Sequence, residues 1–159
     1  MEGIAKVGAE GWHATYSNFK EEKYIEDAIK EQFNYERISS GILMPDEDWH
    51  GFHGWYVALE DNEVVGIIAG GEIGVTAQIL VFYVLPNQIG KGIGTSLLEH
   101  LTEIQQNKGF TKQLISTFKE NLKGISFLKE KNFMKIKEYP INNGSQNDKS
   151  LLCKYSREI

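Results

Sequence analysis

A single cysteine, three prolines and no long apolar run bound what this 159-residue chain can be. One thiol cannot close a disulfide within the chain. Cys153 stands in the apolar run Leu151-Leu152-Cys153, the setting of a small buried hydrophobe. No stretch is apolar and long enough to span a bilayer and no signal peptide opens the chain, so the cytoplasm is the expected compartment. Positive charge is scarce as well. The 17 Lys and Arg against 22 Asp and Glu leave a formal charge of −5, which argues against a nucleic-acid partner, because phosphate contacts need a basic face. No repeat or low-complexity segment breaks the chain, and its length fits one domain over residues 1–159 with its own core. A metal is not expected: His50 and His53, with Asp46 and Asp48 nearby, lack a third well-spaced ligand.

What is present is a patterned series of elements. Helical spacing of Ile25, Ala28, Ile29 and Phe33 predicts a helix over about residues 21–39, after one over about 4–17. A loop over 40–54 follows. Residues 55–59 and 64–69, joined by Glu60-Asp61-Asn62-Glu63, predict a hairpin, with Gly70 and Gly71 ending its second strand. A third strand is predicted over 77–84. The helix after Gly92 aligns Ile93, Leu97, Leu101 and Ile104 and stops at Lys108-Gly109. A buried strand over 113–118, a short helix over 121–131 capped by Asn121, and strands over 133–139 and 150–155 complete the order. The hairpin makes part of the sheet antiparallel, and the strand–helix–strand unit predicts a right-handed parallel crossover. The expected class is α/β (α+β), a mixed sheet flanked by helices.

Between the third strand and its helix lies Pro86-Asn87-Gln88-Ile89-Gly90-Lys91-Gly92-Ile93-Gly94-Thr95. Three alternate glycines strip side chains from a helix N-terminus and leave bare N–H groups at the positive end of a dipole, a site for phosphate. Two familiar phosphate loops fail on spelling. Gly90-Lys91 is followed by Gly92 rather than Ser or Thr, and the dinucleotide pattern requires glycine at Thr95.

The spelling that fits, Pro-x-x-x-Gly-Lys-Gly-Ile-Gly before a leucine-bearing helix, resembles motif A of the GNAT superfamily of acetyl-CoA-dependent N-acetyltransferases. Trp55 to Gly71 resembles the family's second and third strands. Asn121-x-x-Gly124-x-x-Phe127, with Phe133 beyond the helix, resembles its downstream Asn-x-x-Ala-x-x-Phe-Tyr pattern. The resemblance implies a sheet whose fourth and fifth family strands splay, with the pantetheine arm of acetyl-CoA along the backbone of Phe82, Tyr83 and Val84. It places the pyrophosphate on the amides of Ile89, Gly90, Lys91, Gly92, Ile93, Gly94 and Thr95, with Lys91 adding a cation and Asn121 touching the pantetheine or the phosphates. The implied reaction is acetyl transfer from a thioester to a primary amine of a small molecule or peptide by direct attack in a ternary complex. The alternative is a CoA-binding sensor without efficient turnover.

Such chemistry needs a group to take a proton from the amine and a donor for the thioester oxygen. The Val84 amide is the expected donor. Glu72 is the first choice of base, with Tyr83 and Ser116 next. His50, His53, Trp49, Phe52 and the nearby acids are expected to line the acceptor pocket, together with the loop over 142–147. Three departures from the family pattern stand out. Ile89 replaces the usual Gln or Arg, with Gln88 one residue early. Leu128 replaces the tyrosine that protonates the leaving thiolate, leaving water or a tyrosine such as Tyr83 or Tyr139 as acid and Leu128 in the core with Ile125 and Leu122. Met1-Glu2-Gly3 leaves no room for the family's first strand, which points to an exposed sheet edge and a homodimer that covers it.

Overall fold

The computed structural model of the chain describes residues 1–43, 51–141 and 150–159. Helices α1 (Glu2–Tyr16), α2 (Glu22–Gln32) and α3 (Tyr35–Leu43) precede strands β1 (Phe52–Glu60), β2 (Glu63–Ile73) and β3 (Thr76–Val84). A 3₁₀ turn (Pro86–Gln88) leads to α4 (Ile93–Asn107), β4 (Lys112–Phe118), α5 (Leu122–Glu130), β5 (Met134–Pro140) and β6 (Leu151–Glu158). The sheet order is β1-β2-β3-β4-β6-β5, and every neighbouring pair is antiparallel except β3–β4. That mixed sheet matches the expected class, with α4 as the crossover between its parallel strands. No helix among the described residues is long and apolar enough to cross a membrane.

The parallel pair decides the shape of the molecule. β3 and β4 are in register only from Ala77–Gln113 to Ile79–Ile115. Beyond that point β3 runs on to Val84 and β4 to Phe118 with no pairing between them. The sheet therefore has a closed end, where Glu72 lies opposite Ala77, and an open mouth at Val84 and Phe118.

Each face of the sheet carries its own core. Ile4, Val7, Trp12 and Tyr16 of α1 join Ile25, Phe33, Ile38, Val65, Ile67, Leu85 and Phe118 on one side. On the other, Leu97, Leu98 and Leu101 of α4 join Ile68, Ile79, Leu128, Phe133, Cys153 and Tyr155. Each such side chain, fully buried, contributes about 1.5–3 kcal/mol. Cys153 is 1% exposed, as its apolar neighbours implied.

Local signals produced several elements as expected. Asp61 and Asn62 both have positive φ (51° and 65°), the two-residue turn that matches strand twist. Gly109 ends α4 at φ +90°, and Asn132 follows α5 at φ +65°. Asn121 caps α5 by accepting from the Gly124 amide at 3.0 Å.

Other expectations need correction. The helix over 21–39 is two helices, because the Asn34 side chain donates to the Lys30 and Glu31 carbonyls while accepting from the Arg37 amide (2.8 Å), so it closes α2 and caps α3. Gly70 and Gly71 do not end β2. A bulge falls between Ala69 and Gly70, and a Cβ at Gly70 would lie 2.6 Å from Leu101 Cδ1, so glycine there admits α4 onto the sheet. Leu122 is 73% exposed and not in the core with Leu128. Among the described residues β1 forms one edge of the sheet.

Candidate active site

The glycine turn sits at the mouth, where β3 ends. Gly90 and Gly92 hold φ of +90° and +83°, conformations that cost any other residue strain, and a Cβ at either would meet nothing within 4 Å. Gly92 is the N-cap of α4 and no side chain caps that helix. The first helical hydrogen bond runs from the Ser96 amide to the Gly92 carbonyl, so the amides of Ile93, Gly94 and Thr95 precede the ladder. Ile89 is 65% exposed beside them. Gln88 does not substitute for the missing polar side chain, because its side-chain amide donates to Glu60 Oε2 at 2.6 Å. Lys91 Nζ lies 3.9 Å from the other oxygen of the same carboxylate.

Backbone direction at the mouth follows from the ladders. The Leu85 amide donates to the Val65 carbonyl (2.9 Å), and hydrogen-bonded pairs alternate along an antiparallel pair. Tyr83 therefore spends its backbone groups on β2, while those of Phe82 and Val84 point into the gap. On the opposite bank the Lys119 amide donates to the Leu151 carbonyl (2.9 Å), which turns Thr117 toward β6 and Ser116 and Phe118 toward the gap. Of the three residues expected to line an extended ligand, Phe82 and Val84 turn their backbones to the gap and Tyr83 does not.

The Tyr83 side chain instead turns to the α1 face, where its hydroxyl lies 3.2 Å from that of Tyr16. Burial pushes the Tyr83 phenol well above its ordinary range, and Tyr16 adds to the rise. Burial also raises the Tyr16 phenol, against the pull of hydrogen bonds from Tyr83 and Thr117. Thr117 Oγ1 in turn accepts from Asn121 Nδ2 at 2.9 Å. Tyr16 and Thr117 were not singled out by sequence. Tyr16 stands between Thr15 and Ser17 and Thr117 in an apolar strand, and only the packing of α1 across the mouth brings them together.

Glu72 is elsewhere. It lies opposite Ala77 at the closed end, roughly 20 Å along β3 from Val84 at about 3.3 Å per residue. Its carboxylate accepts from His53 Nε2 at 3.0 Å, and the His53 side chain is 1% exposed. Glu72 is thus no base for chemistry at the mouth. Phe52, paired with Gly71, is buried at the same end, so neither it nor His53 stands at the mouth. Ser116 is exposed on β4, and its hydroxyl accepts from Tyr139 at 3.2 Å. Leu128 is 3% exposed among apolar neighbours. Asp46, Asp48, Trp49, His50 and the loop over 142–147 lie outside the described residues.

Comparison with known proteins agrees with this geometry. The Acetyltransferase (GNAT) family matches residues 12–133. The spermidine N(1)-acetyltransferase of Thermoplasma acidophilum is 27% identical over 133 residues, 84% of this chain and 81% of that protein. The crystal structure of PaiA N-acetyltransferase from Thermoplasma acidophilum, in complex with coenzyme A, aligns with a TM-score of 0.81 at 23% identity, over 99% of this chain and 92% of that one. The ribosomal-protein-S18-alanine N-acetyltransferase of Escherichia coli gives a TM-score of 0.65 at 12% identity, over 99% and 88%. At those identities the two structures speak for the fold.

Proposed function

The chain belongs to the GNAT acetyltransferase family, and on that premise we propose that it moves an acetyl group from acetyl-CoA to a primary amine of a small molecule. One observation carries the reading. A gap lined by backbone groups of Phe82, Val84 and Ser116 that no neighbouring strand pairs, and by the Phe118 amide, ends at a helix whose first amides have no cap. Unmet peptide groups call for partners, and a pantetheine arm offers amides to the gap while its pyrophosphate meets the helix. The turn from Ile89 to Thr95 would hold the pyrophosphate, with Lys91 as a nearby cation and Asn121 toward the pantetheine.

The chemistry follows from where these groups point. The Val84 amide, free of β2, donates to the thioester oxygen as charge develops there. The acceptor enters from the α1 face, where the Tyr83 hydroxyl looks into the mouth. A protonated amine is no nucleophile, so the attacking nitrogen arrives neutral or gives its proton to water in the mouth. The spermidine enzyme of Thermoplasma acidophilum supports a small-molecule amine as acceptor. The exposed β1 edge, with Leu59 62% exposed, supports a homodimer; a purely monomeric sedimentation profile would remove that part of the proposal.

Calorimetric titration with CoA, followed by thiol release across a panel of primary amines headed by spermidine, tests the reading. Binding, weakened by the side chain that Ile89 lacks, and thiol release with at least one amine are expected. No CoA binding at millimolar concentration overturns it. Binding without turnover of any amine would favour a CoA-sensing module.

A further inference from the structure

Leu128 leaves the mouth without the tyrosine that the family resemblance leads one to expect on this helix, yet a leaving thiolate benefits from a proton. A different phenol stands at the mouth. Tyr16, the last residue of α1 and 6% exposed, reaches between the two splayed strands. Its hydroxyl meets that of Tyr83 on β3 (3.2 Å) and that of Thr117 on β4. Thr117 is oriented from below by Asn121, whose Nδ2 donates to Thr117 Oγ1 at 2.9 Å. Asn121 is itself fixed as the cap of α5.

The polarity of this chain is informative. The Asn121 amide donates to Thr117, leaving the Thr117 proton free to point at Tyr16. The Tyr83 hydroxyl has the same option. With both neighbours donating, the Tyr16 oxygen accepts twice and its own proton is left over for a third partner. The same two donors hold charge on the Tyr16 oxygen once that proton is gone.

We propose that Tyr16 is the general acid of the transfer, with Thr117 and Tyr83 as positioning residues that steady its phenolate; this rests on the acetyltransferase reading above. As the amine nitrogen bonds to the acetyl carbon, the carbon–sulfur bond breaks and its electron pair leaves on sulfur. The Tyr16 O–H bond breaks and its proton goes to that sulfur. The extra proton on the new amide nitrogen then returns to the Tyr16 oxygen, directly or through one water. The products are the amide and the free thiol, with Tyr16 restored. The other titratable groups packed nearby are Tyr24 and Lys20, whose ammonium lies over the Tyr24 and Phe118 rings at 4.5 and 4.6 Å.

The test uses the full chain with acetyl-CoA and spermidine or another amine from the panel. Tyr16→Phe keeps the ring and is expected to lower kcat by roughly 100-fold, within the usual range for a lost acid. KM for acetyl-CoA and the CoA dissociation constant should stay within about twofold, and the fall of kcat on the alkaline side should vanish. Thr117→Val removes one donor to the phenolate and should move that alkaline fall to higher pH, which a packing role alone would not do. A folded Tyr16→Phe chain that binds CoA and retains kcat within about threefold overturns the assignment and leaves the transferase reading standing. An unaltered chain that fails to bind CoA overturns both.

Discussion

The two ends of the sheet both carry buried polar chains, but they do different things with them. At the closed end Arg157 Nε donates to Gln113 Oε1 (2.9 Å), Gln113 Nε2 donates to Gln105 Oε1 (2.7 Å), and Gln105 Nε2 donates to the Gln78 carbonyl (3.0 Å). Gln105 Nε2 also faces His53 Nδ1 at 3.4 Å, and His53 Nε2 meets Glu72 at 3.0 Å. Because a guanidinium can only donate, each amide orientation is forced in turn. His53 accepts at Nδ1 and donates from Nε2, so the donors all point from Arg157 toward Glu72. Such a network knits α4 to the sheet from β1 to β6 and leaves its inner members no spare capacity. At the mouth the strands have parted, and hydroxyls and peptide groups remain with protons and lone pairs to offer. A histidine beside a carboxylate suggests catalysis, but here it belongs to the saturated end.

The largest expected effect falls on that saturated end. Gln105→Leu strands the Gln78 carbonyl and His53 Nδ1 and leaves Gln113 Nε2 only Thr102 Oγ1 at 3.3 Å, all at or near a side chain with 0% exposure. At about 1–3 kcal/mol for each buried group left unpaired, the loss of stability should approach roughly 4 kcal/mol. Urea unfolding would show it as a lower midpoint with an unchanged slope. The folded fraction should bind CoA normally. A stable variant, or one with lost CoA affinity, would break the division between the two ends.

Next in size is Gly92→Val at the mouth. Its φ of +83° costs an ordinary residue about 1–2 kcal/mol, more for a β-branched one, while its Cβ would meet open space. CoA binding should weaken about tenfold or more, while the unfolding free energy should fall by about that strain and no further. Calorimetry and unfolding on the same sample read both quantities.

These contrasts also show what sequence can carry. The hairpin at Asp61-Asn62, the end of α4 at Gly109 and the cap at Asn121 are set by residues within a few positions of one another, and local spelling reveals them. The Asn34 cap was equally local, but the apolar spacing of Ile25, Ala28, Ile29 and Phe33 ran up to it and hid the break. Glu72 was misplaced for another reason. Which end of β2 lies at the mouth depends on its register with β3 and on where β3 leaves β4, and neither is written in the strand itself. Gln105 reads as a surface residue by polarity, whereas Gln113 opens the strand expected to be buried; both are fully buried. Nothing beside Tyr16 in the sequence marks it, and its hydroxyl meets those of Thr117 and Tyr83 only through the packing of α1.

A smaller effect separates Glu72 from any catalytic role. Glu72→Gln keeps an acceptor for His53 Nε2 and replaces a charge-assisted hydrogen bond with a neutral one, a loss on the order of 1 kcal/mol. The melting temperature should fall by about 2–4 °C for a chain of this size. The ratio kcat/KM should stay within about twofold. A drop of 100-fold would return Glu72 to the reaction and undo the distinction between the ends.

The smallest expected effect is a gain, and it lies at the mouth. Glu60, on the hairpin, accepts from Gln88 at 2.6 Å and lies 3.9 Å from Lys91, so the one cation of the glycine turn leans toward a carboxylate. An anion arriving at the amides of Ile93 to Thr95 meets that negative charge and competes with it for Lys91. Glu60→Gln preserves a hydrogen-bonding partner for Gln88 while removing the charge. Exposed ion pairs of this kind are worth about 0.2–1 kcal/mol, so CoA affinity should rise roughly twofold at low salt. The gain should fade at about 1 M salt, where the screening length shrinks to about 3 Å. Weaker binding in the variant would mean that Glu60 orders Gln88 and the turn behind it, making this carboxylate a brace like Glu72 and not a competitor for the phosphate.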